Sequence, residues 1–324
     1  MKKFLIFIGL IVIPVITLLI LGWHYFGPPG KSMETQIFTV PEKQPDFDAV
    51  QSLSDGGFIR NTGAFSLLKE KLAKDKEVRP GGYYINQNMF AWQVLEKITG
   101  KPDLLWLTVT GCPRKEQIGE KLADLLGWTS KEIKDWNSLY SDFKSEYFEG
   151  VYYPDTYLIP VTESAGQIAR RFIDRFNTKF APLADKFVEA DIKWTTGVKI
   201  ASLIAREAAG DGDMRLISGI IWNRLDQGMR LQIDATMQYT LGKRPDGSWW
   251  GSVDIGEKQN DSPYNTYLYK GLPPTPICSP DIRYLEAVIN PESTDCLYYL
   301  HDSGGQIHCA KTYTGHKSNI GKYL

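Results

Sequence analysis

From Phe4 to Leu21 the chain is apolar without interruption by any charge. This approaches the roughly 20 residues an α-helix needs to cross a bilayer. Pro14 kinks such a helix without breaking it. Lys2 and Lys3 precede the run, and Trp23, His24, Tyr25 and Phe26 follow it. A cleaved signal peptide also has a basic start and an apolar centre. Here the run is followed by large aromatics instead of a small-x-small cleavage site, the composition of an interfacial belt. The pattern therefore predicts a retained single-span anchor over 1–26. Its basic end lies in the cytoplasm, and the long remainder lies on the periplasmic or extracytoplasmic side.

Beyond the anchor the periodicity changes repeatedly. Gly27-Pro28-Pro29-Gly30 suits neither helix nor strand, so 27–35 reads as a linker. From 36 to 102, strand-like pieces (Gln36 to Val40, Tyr83 to Ile85) mix with amphipathic helices at 62–74 and 88–99, which predicts a small α+β module. A second segment, 103–324, opens with a strand from Leu104 to Thr110 and a helix from Lys115 to Leu126. The stretch Glu149 to Tyr157 places a Pro-Asp turn between aromatics. A helix at 164–180 then buries Ile168, Phe172 and Phe176 and turns Arg170, Arg171 and Arg175 outward. The fold class is thus α+β: an N-terminal transmembrane helix, a small α+β subdomain and a mixed α/β domain.

One helical stripe carries candidate chemistry. Ile200, Leu203 and Ile204 share a buried face, and Glu207 lies on it at spacings of seven, four and three, whereas Lys199 and Arg206 point elsewhere. Burial penalises a carboxylate and raises its pKa toward neutrality, as a general acid requires. The bland alternative is a glutamate at a helix end that turns into water or pairs with an arginine such as Arg224. The next helix, Met214 to Gln227, is scaffold ended by Gly228 at C′. Past it, Asp234 and Thr236 either start a helix, Asp234 as its N-cap, or reach a ligand. Ser262 to Tyr267 and Gly271 to Ile277 gather amide, hydroxyl and aromatic groups of the kind that suits sugars.

Composition narrows the partners. The chain has 324 residues, 12% aromatic and 23% charged, with a formal net charge of −1. It can therefore build two or three packed units, and it lacks the basic character that nucleic acid demands. Cys112, Cys278, Cys296 and Cys309 include no Cys-x-x-Cys pair, which argues against a metal site. Cys296 and Cys309 flank Ser303-Gly304-Gly305. They either face each other across a hairpin as a disulfide or remain free buried thiols.

The strings ASLIARE, NRLDQGMRLQIDATMQY, SPYNTY and KGLPPTPI, in this order, resemble the MltG (YceG-like) family of endolytic murein transglycosylases. The upstream EGVYYPDTY and RPGGYYI are similar too, so the likeness covers nearly the whole chain. It implies a LysM-like subdomain at 36–102 and a YceG-like catalytic domain at 103–324, with core motifs at 197–324, anchored in the inner membrane and facing the wall. By position the catalytic glutamate is Glu207. Relatives often carry two acids two apart here; this chain has Ala205 at the first position. His316 matches a family position, whereas Cys309 replaces a usual aromatic and Asp281 a common glycine.

The implied reaction is non-hydrolytic cleavage of the β-1,4 bond between N-acetylmuramic acid and N-acetylglucosamine, leaving a 1,6-anhydro end and needing no cofactor. Glu207 serves first as acid and then as base. Gln232, Asp234, Thr236, Tyr239, Tyr264, Asn265, Thr266 and Tyr267 are the substrate-positioning candidates, joined by Tyr153 and Asp155. Two-carboxylate hydrolysis would instead require a second acid nearby. Asp211 and Asp213, in a glycine-flanked turn, read as helix-initiating or solvated groups. The implied partners are peptidoglycan glycan strands, nascent ones in particular, and peptidoglycan synthases. A non-catalytic, wall-binding or division scaffold is the competing expectation, and it would make Glu207 dispensable.

Overall fold

The computed structural model describes residues 2–142 and 149–324, which form two compact units, Met1–Leu107 with Tyr157–Glu163 and Thr108–Thr156 with Ser164–Leu324. Each is built around its own core.

The first unit begins with helix α1 (Lys2–Phe26), which continues through Pro14. The side chains of Phe4 to Ile11 lie outside the described residues. Among those described, no helix is long and apolar enough to cross a membrane. From Val12 on, α1 leaves Ile13, Leu18, Leu19 and Ile20 among the most exposed apolar side chains of the chain. Phe26 packs against the core of the unit. The following Gly27 and Pro28 are buried, Arg60 Nε donates to the Pro28 carbonyl at 2.8 Å, and Gly30 N donates to the Gln87 carbonyl at 3.0 Å. Residues 27–35 thus contain no helix or strand, yet their first part is held down.

Strands β1 (Gln36–Val40), β2 (Gly81–Ile85), β3 (Leu104–Thr108) and β4 (Thr156–Pro160) form one sheet in that order. β1 pairs antiparallel with β2, with Phe38 opposite Tyr83. Alternation turns Phe38 and Val40 inward onto helices α2 (Ala49–Asp55), α3 (Thr62–Leu72) and α4 (Ala91–Ile98), which contribute Leu53, Phe65, Val94, Leu95 and Ile98. Local side chains set the helix starts. Asp48 accepts from Val50 N and Gln51 N, and Asn61 accepts from Ala64 N. α4 starts three residues later than its apolar pattern predicts. Asn86 Oδ1 closes a turn onto Asn88 N, and Gln93 Oε1 reaches back to Phe90 N.

The second unit holds α5 (Lys115–Leu126), α6 (Ser130–Asp142), α7 (Ala165–Phe180), α8 (Ala184–Glu189), α9 (Trp194–Glu207), α10 (Met214–Asp226), α11 (Asp234–Leu241), α12 (Ile282–Ile289) and α13 (Tyr313–Tyr323), with a hairpin of β5 (Tyr298–His301) and β6 (Ile307–Ala310). α9 is the spine. Ile200, Leu203 and Ile204 are fully buried in one core with Ile217 and Ile221 of α10 and Leu285 and Val288 of α12. Gly197 admits this packing, because any Cβ there would collide with the ring of Phe187. α10 ends as its sequence predicts: Gly228 takes φ +60°, and Met229 N bonds back to the Arg224 carbonyl.

All four cysteines are paired. Cys296 and Cys309 form a disulfide that clasps the β5–β6 hairpin, so of the two alternatives left open by the sequence the free thiols are excluded. Cys112–Cys278 is the second bridge, between residues 166 apart, too distant for any local pattern to announce.

Candidate functional site

Glu207 is the last helical residue of α9, and Ala208 already turns to an extended backbone. The stripe that buries Ile200, Leu203 and Ile204 therefore delivers its carboxyl to the rim of the core rather than to solvent. There it joins Arg224, Leu231, Gln232, Asp234, Tyr267, Tyr298, Tyr299, Tyr313 and His316 around a cavity of about 350 Å³.

Tyr299 on β5 donates its phenol proton to Glu207 Oε2 at 2.7 Å. Burial pushes the Glu207 carboxyl above its ordinary range, against the opposing pull of that hydrogen bond, and the negative charge of Asp234 adds to the rise. Burial also raises the Tyr299 phenol far above its usual value, so it remains a donor. A partly accessible carboxyl whose pKa is raised by burial and which keeps one fixed donor can give up and retake a proton. Arg224 does not neutralise it as an ion pair. The Arg224 guanidinium donates instead to the carbonyls of Leu297 (2.5 Å), Leu231 (2.6 Å) and Arg230 (3.2 Å), tying α10 to β5 and to the segment before α11.

Beneath Glu207 lies a second polar layer. Asp213 is nearly buried and accepts from Ala209 N at 2.9 Å, Gly210 N at 3.3 Å and His301 Nε2 at 2.7 Å. Of the two sequence expectations, solvation fails, whereas Asp213 does start α10 as its N-cap residue, through its carbonyl to Ile217 N and without a side-chain cap. Its acceptors are used to fix the turn after Glu207. Asp211 is exposed and pairs with Arg283 at 2.8 Å.

On the opposite wall Asp234 is the first residue of α11. Ile233 is the N-cap, so the capping expectation for Asp234 fails. Its carboxylate accepts from Lys258 Nζ at 2.8 Å and from Tyr267 Oη at 2.5 Å, while Lys258 also donates to Tyr267 Oη at 3.0 Å. Although burial works against its charge, Lys258 is pushed up by these two acceptors, so it remains a cation beside Asp234. Gln232 reaches the cavity from a left-handed backbone, φ +54°, fixed by Gln232 N donating to the Thr266 carbonyl at 3.1 Å. A non-glycine residue there is strained, and such strain gathers at functional sites.

Thus Gln232, Asp234 and Tyr267 meet Glu207 in one cavity, whereas the other positioning candidates do not. Thr236, Asn265 and Thr266 are buried below the loop surface. Thr266 Oγ1 accepts from Ile233 N at 3.0 Å and lies 3.0 Å from Thr236 Oγ1. Asn265 donates to the Lys258 and Asn260 carbonyls and accepts from Tyr267 N, so its amide is spent on shaping the loop that presents Tyr267. Tyr239 packs at a tilt against Tyr264, ring centroids 4.9 Å apart, and lies beneath the Arg114 guanidinium, and Tyr264 Oη is 2.7 Å from Thr275 Oγ1. Tyr153 is buried against Ile282 N, and Asp155 is ion-paired with Arg175. These four lie outside the cavity lining. Their hydroxyl and carboxyl groups suit a ligand on paper but are satisfied within the protein.

The model of the YceG-like family matches residues 38–322. The chain belongs to the YceG-like family. An endolytic murein transglycosylase of Bacillus subtilis is 27% identical over 328 residues, covering 94% of this chain and 89% of the relative. One from Streptococcus pneumoniae is 28% identical over 177 residues, 54% of this chain and 32% of that much longer relative. The crystal structure of a YceG-like protein from Listeria monocytogenes aligns with a TM-score of 0.57 at 26% identity, over 89% of this chain and 99% of that one. The mixed α+β fold agrees with that structure.

This YceG-like cavity also includes residues that the sequence reading left out of the site. Tyr299, Tyr298 and the hairpin come from the last segment, where no amphipathic helix marks a face. His316 stacks on Tyr298 at 5.5 Å, its Nδ1 buried with no hydrogen-bond partner, and burial lowers its pKa. A histidine near the C-terminus was visible in sequence, but only the hairpin's return past α9 places it opposite Glu207.

Proposed function

We propose that this YceG-like protein is an endolytic peptidoglycan lytic transglycosylase with Glu207 as its single acid/base. The observation that carries the reading is the Tyr299–Glu207 pair at the cavity wall, a carboxyl whose pKa is raised by burial while a fixed donor holds Oε2. As an acid, Glu207 protonates the oxygen of the bond between N-acetylmuramic acid and N-acetylglucosamine, and the bond to C1 breaks. As carboxylate, it takes the proton of the C6 hydroxyl while that oxygen closes on C1, leaving a 1,6-anhydro end. The substrate's acetamido group stabilises the cationic intermediate. Tyr299 holds the carboxyl in place between the two transfers, and Gln232, Asp234 and Tyr267 position the sugars.

The disposition of the other acids supports a one-carboxylate path over hydrolysis. Asp211 is ion-paired on the surface, Asp213 is committed to backbone amides and His301, and Asp234 is neutralised by Lys258. Each is already engaged by a cation or by hydrogen-bond donors. The names of the relatives from Bacillus subtilis and Streptococcus pneumoniae support the same substrate.

The reading extends to location. The uncharged run Phe4 to Leu21 serves as a membrane anchor, residues 36–102 as a LysM-like glycan-holding subdomain and 103–324 as the catalytic domain outside the cytoplasm. Nascent strands near peptidoglycan synthases are the substrate within reach of such an anchor. Two disulfides agree with an oxidising compartment. The test is product analysis by mass spectrometry on intact sacculi and on uncross-linked glycan. The parent releases internal anhydro-ended fragments, and Glu207→Gln lowers the rate by roughly 100-fold or more. Release at the parental rate by Glu207→Gln defeats the mechanism. Binding without release by the parent favours a scaffold.

A further inference from the structure

Helix α1 does not end in a free tether. Phe26 enters the core of the first unit, Gly27 and Pro28 are buried, and Arg60 and Gln87 hold the next residues. At this junction the aromatic side chains form a continuous series. The ring of Trp23 on α1 meets the edge of Phe90 at 5.6 Å, and Phe90 stacks on Trp92 of α4 at 4.3 Å. The outer members are open to solvent: Trp23 is 56%, Tyr25 42% and Trp92 45% exposed. Among the described residues, nothing in the unit covers the outer face of this stacked, half-exposed tryptophan at the start of α4.

We propose that the Phe90–Trp92 face of the first unit is a membrane-contacting surface, seated in the lipid headgroup layer beside α1. The inference rests on the reading of α1 as an anchor. Trp23 lies two residues beyond the apolar run, about 3 Å farther along the helix axis. That puts its ring at the level where tryptophan and tyrosine concentrate in membrane proteins. Phe90 touches Trp23 and Trp92 stacks on Phe90, so both share that level, within a headgroup layer roughly 5–7 Å thick. The apolar surface of α1 thus continues onto α4. An indole ring, with an apolar body and one polar N–H, is suited to that boundary. Because the junction is pinned, the unit stands on the bilayer by a fixed face.

The experiment uses the full chain reconstituted in phosphatidylcholine–phosphatidylglycerol vesicles whose acyl chains carry bromine either near the head or near the tail. Flotation reports the anchor, and tryptophan quenching reports the face. The expected result is that the parent floats with the vesicles, head-end bromine quenches more than tail-end bromine, and Trp92→Phe loses a distinct part of the head-end quenching while its far-ultraviolet spectrum is unchanged. If the protein floats but Trp92→Phe and the parent show the same lipid-quenchable fraction, the face does not touch lipid and the proposal falls while the anchor stands. If it does not float, the anchor reading and the proposal fall together.

Discussion

The phenol of Tyr299 lies 2.7 Å from Glu207 Oε2 and joins the hairpin to the end of α9 across 92 residues of sequence. This hydrogen bond favours the carboxylate and so works against the burial that raises the pKa of Glu207. Removing the donor in Tyr299→Phe pushes that pKa higher still. The acid form is required for bond cleavage and is lost as pH rises through the folded-state pKa. The alkaline limb of the kcat/KM profile therefore moves to higher pH in the variant. Loss of a hydrogen bond to a charged group, about 1.5–3 kcal/mol, lowers the maximal rate by roughly 10- to 150-fold. A tyrosine that merely filled space would change the rate without moving the limb.

The two disulfides separate stability from activity. In a chain-entropy model the Cys112–Cys278 bridge, which closes 166 residues, contributes up to about 5 kcal/mol, and the 13-residue Cys296–Cys309 loop about 3 kcal/mol. Replacing both members of the long bridge by alanine is expected to lower the melting temperature more. Replacing the short pair lowers activity more than its melting shift accounts for, because the loosened hairpin carries Tyr298, Tyr299 and His301. Calorimetry and glycan-release rates on the two double variants check this ordering.

How much of this was legible in the sequence depended on whether the responsible forces are local. The face of α9 followed from the spacing of Ile200, Leu203, Ile204 and Glu207. α5 and β1 matched their patterns end to end, since periodicity and caps act within a few residues. Asp234 and the loop of Tyr267 were legible as candidates from their chemistry, and Gln232 through the family resemblance. The sequence did not reveal which of them line the cavity, since Thr236, Asn265 and Thr266 carry the same kinds of groups but bond within the protein. That distinction depends on contacts about 30 residues apart in sequence, as between Ile233 and Thr266. Tyr299 was missed for the same reason, as was the pairing of Asp213 with His301: each joins distant segments.

Gln232 offers a trade between stability and function. Its φ of +54° suits glycine better than any residue with a Cβ. Gln232→Gly is expected to stabilise the second unit by about 0.5–1 kcal/mol, seen as a higher denaturant midpoint. It also removes an amide from the cavity wall. The prediction for activity is a raised KM with a smaller change in kcat, the signature of a group that holds substrate without taking part in proton transfer.

Glu149 makes the pH dependence of stability testable apart from catalysis. It is 1% exposed, accepts from Lys115 N at 2.8 Å and lies 3.3 Å from Tyr239 Oη, and burial pushes its pKa up to about 8. The folded state therefore holds a proton that an unfolded chain releases above its ordinary value of 4.5. The stabilisation is complete below about pH 4.5, declines as pH rises and is gone above about pH 8, a change on the order of 5 kcal/mol for so buried a carboxyl. Glu149→Gln keeps an acceptor for Lys115 N and has no proton to lose. Urea midpoints of the two proteins should lie close together at the acidic end of that window and diverge toward alkaline pH, with the variant the more stable. Parallel midpoints across the window would mean that Glu149 is ionised in the folded protein.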